Sequence, residues 1–132
     1  KYREQIGMRI YSAAENVLPA LHNHLSKGEV VALVADRDLS KSGIEVNFFD
    51  GIAKMPSGPA LLSIRNNSFL IVAHVTYTES GIHIKFSEPL KSSHVGEPEQ
   101  IRDLIQQTAD FFAEGIAKKP EDWHMLQKIW IS

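Results

Sequence analysis

The chain has 132 residues, enough for one domain that buries about two-thirds of its unfolded surface. Its 43% apolar content fits a packed core, and a net charge of −2 with a pI near 6.3 excludes the basic footprint of a nucleic-acid binder. The absence of Cys removes disulfides and thiolate metal sites, and no apolar run reaches the ~20 residues of a membrane span. The chain opens on Lys1 without a visible leader, as expected of a segment trimmed from a longer chain.

Residues 6–11 read as a short strand, and Ser12 to Glu15 has the Ser-x-x-Glu spacing of a capping box. Pro19 removes a backbone donor, so it belongs in the first turn of a helix over 18–27, which Gly28 ends in the left-handed conformation. The apolar, partly β-branched run 29–35 follows at once and predicts a strand buried on both faces, half of a β-α-β unit. It breaks into Asp36-Arg37-Asp38, and in an open α/β sheet the carboxyl end of a strand faces the ligand crevice. A polar linker covers 39–43. Ser57 is placed to cap a helix that carries Pro59 early and stops at Asn66-Asn67. Residues 69–77 predict a second strand, which Glu79-Ser80-Gly81 turns into the alternating run 82–86, giving a half-exposed antiparallel hairpin. The clearest helix is 97–117. Ile101, Leu104, Ile105, Thr108, Phe111, Phe112 and Ile116 form its buried stripe, with acids at its start and lysines at its end.

Several segments stand out by order and spacing. They are Asp36-Arg37-Asp38 after its strand, then Val46-Asn47-Phe48-Phe49, then Met55-Pro56-Ser57-Gly58-Pro59-Ala60, and finally Pro120 to Gln127, which includes Asp122-Trp123-His124-Met125. In these the chain resembles the bacterial lipid A late acyltransferases, and most of all their actinobacterial branch, the phosphatidylinositol mannoside acyltransferases. The likeness covers nearly all 132 residues but only the C-terminal half of such an enzyme. It implies an α/β fold: a mixed sheet flanked by helices, the C-terminal portion of a lysophospholipid acyltransferase-like fold. One departure is Asp50, which stands where the family has Gly after the two Phe, with Gly51 next.

The resemblance implies transfer of a fatty acyl chain from a thioester to a sugar hydroxyl of a phosphatidylinositol mannoside or lipid A-type acceptor. The donor is acyl-CoA or an acyl-carrier protein, and no other cofactor is implied. A hydroxyl needs a base within hydrogen-bond reach, and the oxyanion needs donors. The family meets the first need with His-x-x-x-x-Asp, which lies upstream of the segment resembled and does not occur here. Four His-x-x-x-x-Glu matches do occur, at His24/Glu29, His74/Glu79, His83/Glu88 and His94/Glu99; none lies in the family's catalytic segment. No His pair has metal-ligand spacing on a helix.

Asp36 matches the family acid that partners the catalytic His and the acceptor hydroxyl, so it is the expected catalytic residue, one methylene shorter than the usual Glu of the branch. Arg37 either binds an anionic headgroup or donor phosphate with its planar fork, or locks the loop through Asp36 or Asp38. Asp38 is expected to be structural. Met55, Pro56 and Gly58 are expected to contact substrate by lining the acyl groove, against a plain turn fixed by Pro and Gly. Trp123 and Trp130 are expected to close a core, although indoles also suit a membrane interface.

The resemblance places the full-length enzyme peripherally on the cytoplasmic face of the bacterial membrane and leaves the isolated fragment inactive. Two other readings remain: a non-catalytic lipid- or acyl-binding module of the same fold, and an interaction domain whose apolar cut face drives self-association.

Overall fold

In the computed structural model, residues 2–12, 16–38, 40 and 42–131 are described. The capping box expected at 12–15 falls largely outside them. Two compact units are present, Lys1–Ala32 and Leu33–Ser132.

The first unit holds two helices. Tyr2–Gln5 (α1) is a single turn that ends at Gly7, whose φ of 90° lets Met8 N–H reach back to Arg3 O. The strand expected over 6–11 is not formed; those residues are exposed and lie in no ladder. Leu18–Ser26 (α2) begins with Pro19 in its first turn and ends at Gly28, φ 76°, as the sequence predicts.

The strand expected over 29–35 is also absent. The segment has no ladder partner among the described residues, and Val30 is 94% exposed. A buried strand takes its hydrogen bonds and its cover from neighbouring strands. The described residues supply neither.

The second unit runs two strands, a helix, two strands and a long helix, so the α/β content is as expected. Its ladders are two separate two-stranded antiparallel sheets. Ile44–Phe48 (β1) pairs with Gly51–Met55 (β2) from Ile44↔Met55 to Phe48↔Gly51. Ile44, Val46 and Phe48 alternate with Glu45 and Asn47, and the apolar set turns inward. Phe49 and Asp50 make the turn, with Phe49 at φ 53°, so the chain reverses tightly where the family pattern has Gly. Gly58–Asn66 (α3) follows, and Asn67 ends it in the left-handed region at φ 50°. Ser57 occupies its N-cap position without a side-chain capping bond.

Ala73–Thr78 (β3) and Gly81–Phe86 (β4) form the expected hairpin. Residues 70 and 72 precede this ladder and bond to Leu90 and Ser87 instead. Glu97–Lys118 (α4) buries Leu104, Ile105, Thr108, Ala109 and Ile116 on one stripe. The core is made where this stripe meets Val46, Phe48, Ala53, Met55 and Ala60, closed from below by Ile129.

The free edge of β2 organises the rest. Ile52 O accepts from Ile131 N–H, Ala53 bridges Trp130, and Lys54 O accepts from Asp38 N–H. The end of the chain and the acid-base-acid segment therefore lie along one strand edge.

Candidate functional site

Asp36 and Arg37 meet the C-terminal motif. The Trp123 indole N–H donates to Asp36 Oδ2 at 3.3 Å. Arg37 Nη1 donates to Gln127 Oε1 at 2.9 Å. Among the described residues no carboxylate comes within ion-pair distance of Arg37, so the lock through Asp36 or Asp38 is not formed. Asp38 is spent on the loop: its carboxylate accepts from Ser40 N–H at 2.7 Å and Ser40 Oγ at 2.8 Å. Gly43 packs against that carboxylate so closely that a Cβ there would collide with it.

The C-terminal motif is held from three sides. Trp123 packs edge-on to Phe48 and Trp130, with ring centroids 5.8 and 6.4 Å apart, and Trp130 donates its indole N–H to Phe48 O at 2.9 Å. Trp123 packs against the core, as expected, and also bonds to Asp36; Trp130 is not part of that core, being 38% exposed and stacked on Phe48 from outside. Asp122 accepts from Tyr77 N–H at 2.8 Å and meets Lys119 at 3.2 Å. The Tyr77 amide, then Lys119 and the nearby His124, hold the Asp122 carboxyl below the usual carboxylate range against the opposing cost of burial. His124 itself is exposed.

Asp36 is half-buried and Arg37 exposed. A carboxylate offers about four lone-pair positions and the indole uses one. The remainder of Asp36 can accept a hydroxyl proton or steady a neighbouring cation, and the rest of the Arg37 fork stays open to an anion. Met55 is 1% exposed and lies within the core, whereas Pro56 and Gly58 are half-buried at the turn into α3. The sequence pattern did not signal that Trp123 and Gln127 would be the partners of Asp36 and Arg37, because 87 and 90 residues separate them.

Of the four His-x-x-x-x-Glu matches, hydrogen bonding joins only His24 and Glu29 among the described residues. His24 Nδ1–H donates to Glu29 Oε2 at 2.5 Å, and His24 Nε2 shares a hydrogen bond with the Tyr11 hydroxyl at 2.7 Å. No group of three His, Asp or Glu that could hold a metal ion occurs among the described residues.

The chain belongs to the bacterial lipid A biosynthesis acyltransferase family, whose model matches residues 1–132. It is 34% identical to the phosphatidylinositol mannoside acyltransferase of Mycolicibacterium smegmatis over 135 residues, covering 100% of this chain and 43% of the relative. It is also 34% identical to the protein of that name from Mycobacterium tuberculosis, over 99% of this chain and 41% of the relative. The chain thus spans about two-fifths of the length of the curated relatives it matches.

Proposed function

We propose that the chain forms part of a glycolipid acyltransferase. The enzyme moves a fatty acyl group from an acyl thioester, of coenzyme A or a carrier protein, to a sugar hydroxyl of a phosphatidylinositol mannoside or lipid A-type acceptor. The hydroxyl oxygen bonds to the acyl carbon, the carbon–sulfur bond breaks, and the hydroxyl proton passes by way of a base to the departing thiolate. Asp36 orients the acceptor hydroxyl and steadies the protonated base. Arg37 faces a phosphate of donor or headgroup. Pro56 and Gly58 border the acyl chain, and Met55 supports them from the core.

The single observation that carries this reading is the meeting of Asp36 with Trp123. It joins the two ends of the family pattern at one carboxylate. The base is a His-x-x-x-x-Asp histidine outside these 132 residues. The enzyme works peripherally on the cytoplasmic face of the membrane; no helix among the described residues is long and apolar enough to cross one.

The test is an assay with a radiolabelled long-chain acyl thioester and a purified mannosylated inositol lipid. The 132-residue chain alone is expected to show no turnover, and a longer natural protein containing it is expected to acylate the acceptor. If that longer protein binds the lipid without transferring the acyl group, the non-catalytic binding module is the correct reading.

A further inference from the structure

One face of the β3–β4 hairpin lies over the C-terminal half of α4 and leaves a cleft of about 310 Å³. Lys85, Lys118 and Lys119 line it, with Glu114 as the lining carboxylate. Glu114 is shared between Lys85 at 3.3 Å and Lys118 at 3.2 Å, so one carboxylate serves two ammonium groups. These two cations hold the Glu114 carboxyl below its ordinary range. Lys119 meets Asp122 and the Tyr77 carbonyl at the rim.

This concentration of positive charge occurs in a chain whose net charge is −2. Behind it, the His74 ring sits on Gly115, where a Cβ would come 2.5 Å from the imidazole Cδ2. His74 Nε2 is completely buried and has no hydrogen-bond partner among the described residues. That nitrogen is packed against Gly115, so the His74 ring backs the cleft on the helix side. Phe111 forms an apolar wall, with the Lys85 ammonium 5.6 Å from its ring centroid.

We propose that this cleft is a phosphoryl-group site, in which Lys85, Lys118 and Lys119 hold the oxygens of a phosphate monoester or diester beside the His74 imidazole. Lysine binds phosphate as a point charge, and the Lys85 and Lys118 ammonium groups, which already meet at one carboxylate oxygen with Lys119 on the rim, suit a group with several acceptor oxygens. Glu114 is the internal competitor that the phosphate displaces. The site is separate from Asp36 and does not rest on the acyl-transfer reading.

The experiment is a side-chain NMR titration of a longer natural protein containing this chain, following the imidazoles of His74 and His83, which also lines the cleft. Three probes are added separately: inorganic phosphate, adenosine 3′,5′-bisphosphate, and phosphatidylcholine vesicles with and without phosphatidylinositol. The expected result is a saturable shift with at least one probe. The shift should weaken about fivefold in the Lys85→Gln/Lys118→Gln double variant, weaken with added salt, and be unaffected by Lys27→Gln. The probe that saturates at the lowest phosphate concentration identifies the source as a free ion, a nucleotide phosphate or a lipid headgroup. No saturable shift with any probe, or an equal shift in the double variant, overturns the proposal. If the double variant loses the hairpin amide pattern, Glu114→Gln decides instead: removing the competitor should tighten binding several-fold, and unchanged or weaker binding rejects the site.

Discussion

At the scale of the residue, Tyr11, His24 and Glu29 form one hydrogen-bonded chain. His24 lies on α2, and Glu29 reaches it because Gly28 reverses the backbone just after the helix, which also lets Glu29 N–H donate to His24 O. His24 is buried, so its two ring nitrogens need partners, and they have them. The ring is held between Glu29 at Nδ1 and the Tyr11 hydroxyl at Nε2. Tyr11→Phe leaves that nitrogen unpaired at a cost of about 1 kcal/mol, and His24→Ala removes the whole link at about 2–3 kcal/mol. Amide hydrogen exchange across α2 reads both directly. Protection of residues 21–26 should fall in that order, and equal protection in the parent and both variants would show that the link is idle.

At the scale of the element, four carboxylates tie parts of the second unit together, and all lie below their ordinary range. Asp122 is lowered chiefly by the Tyr77 amide, Asp103 by a Ser92 hydrogen bond, Glu97 by an Arg65 hydrogen bond, and Glu114 by Lys118 and then Lys85. Each binds its proton more weakly when folded than when unfolded. Their stabilisation is complete above the unfolded carboxylate values of about 3.9–4.3 and is lost as pH falls through the depressed folded values. The thermal midpoint should therefore be level between about pH 7 and pH 5 and decline below about pH 4. Asp122→Asn should lower the neutral-pH midpoint and flatten the decline. An unchanged acid slope in that variant would remove Asp122 from the account.

The same scale shows what the sequence makes legible. The ends of α2 and α3 and the stripe of α4 were readable because Gly28, Asn67 and the 3.6-residue period act within a turn or two. The strand expected at 29–35 was not, because an apolar run states a preference for burial while its ladder partner is a distant matter. The β3–β4 alternation was legible, but its sidedness was not: Ala73, Val75 and Tyr77 point outward, and His74 and Thr76 point toward α4. For the site, the pattern named Asp36 and the C-terminal motif, and only the fold joins them through Trp123.

At the scale of the molecule, the outward face of the β3–β4 hairpin is apolar without interruption. Val75 faces Ile84, Tyr77 faces Ile82 and Ala73 faces Phe86, and Phe86 is 65% exposed. A contiguous face of this kind associates in water. The 132-residue chain is expected to self-associate with rising concentration in light scattering, and Ile84→Lys/Phe86→Lys should reduce this; a strict monomer at all concentrations would deny the face that role. In another part of the molecule, the carboxylate held by Trp123 is proposed to act in acyl transfer. The most direct measurement is the acylation rate of a longer natural protein containing this chain, with Asp36→Asn beside the parent and thermal midpoints taken on both. Asn keeps an acceptor for the indole but cannot carry the negative charge. The account predicts a rate loss of about a hundredfold or more at an unchanged midpoint. A variant that acylates at the parent rate would contradict it.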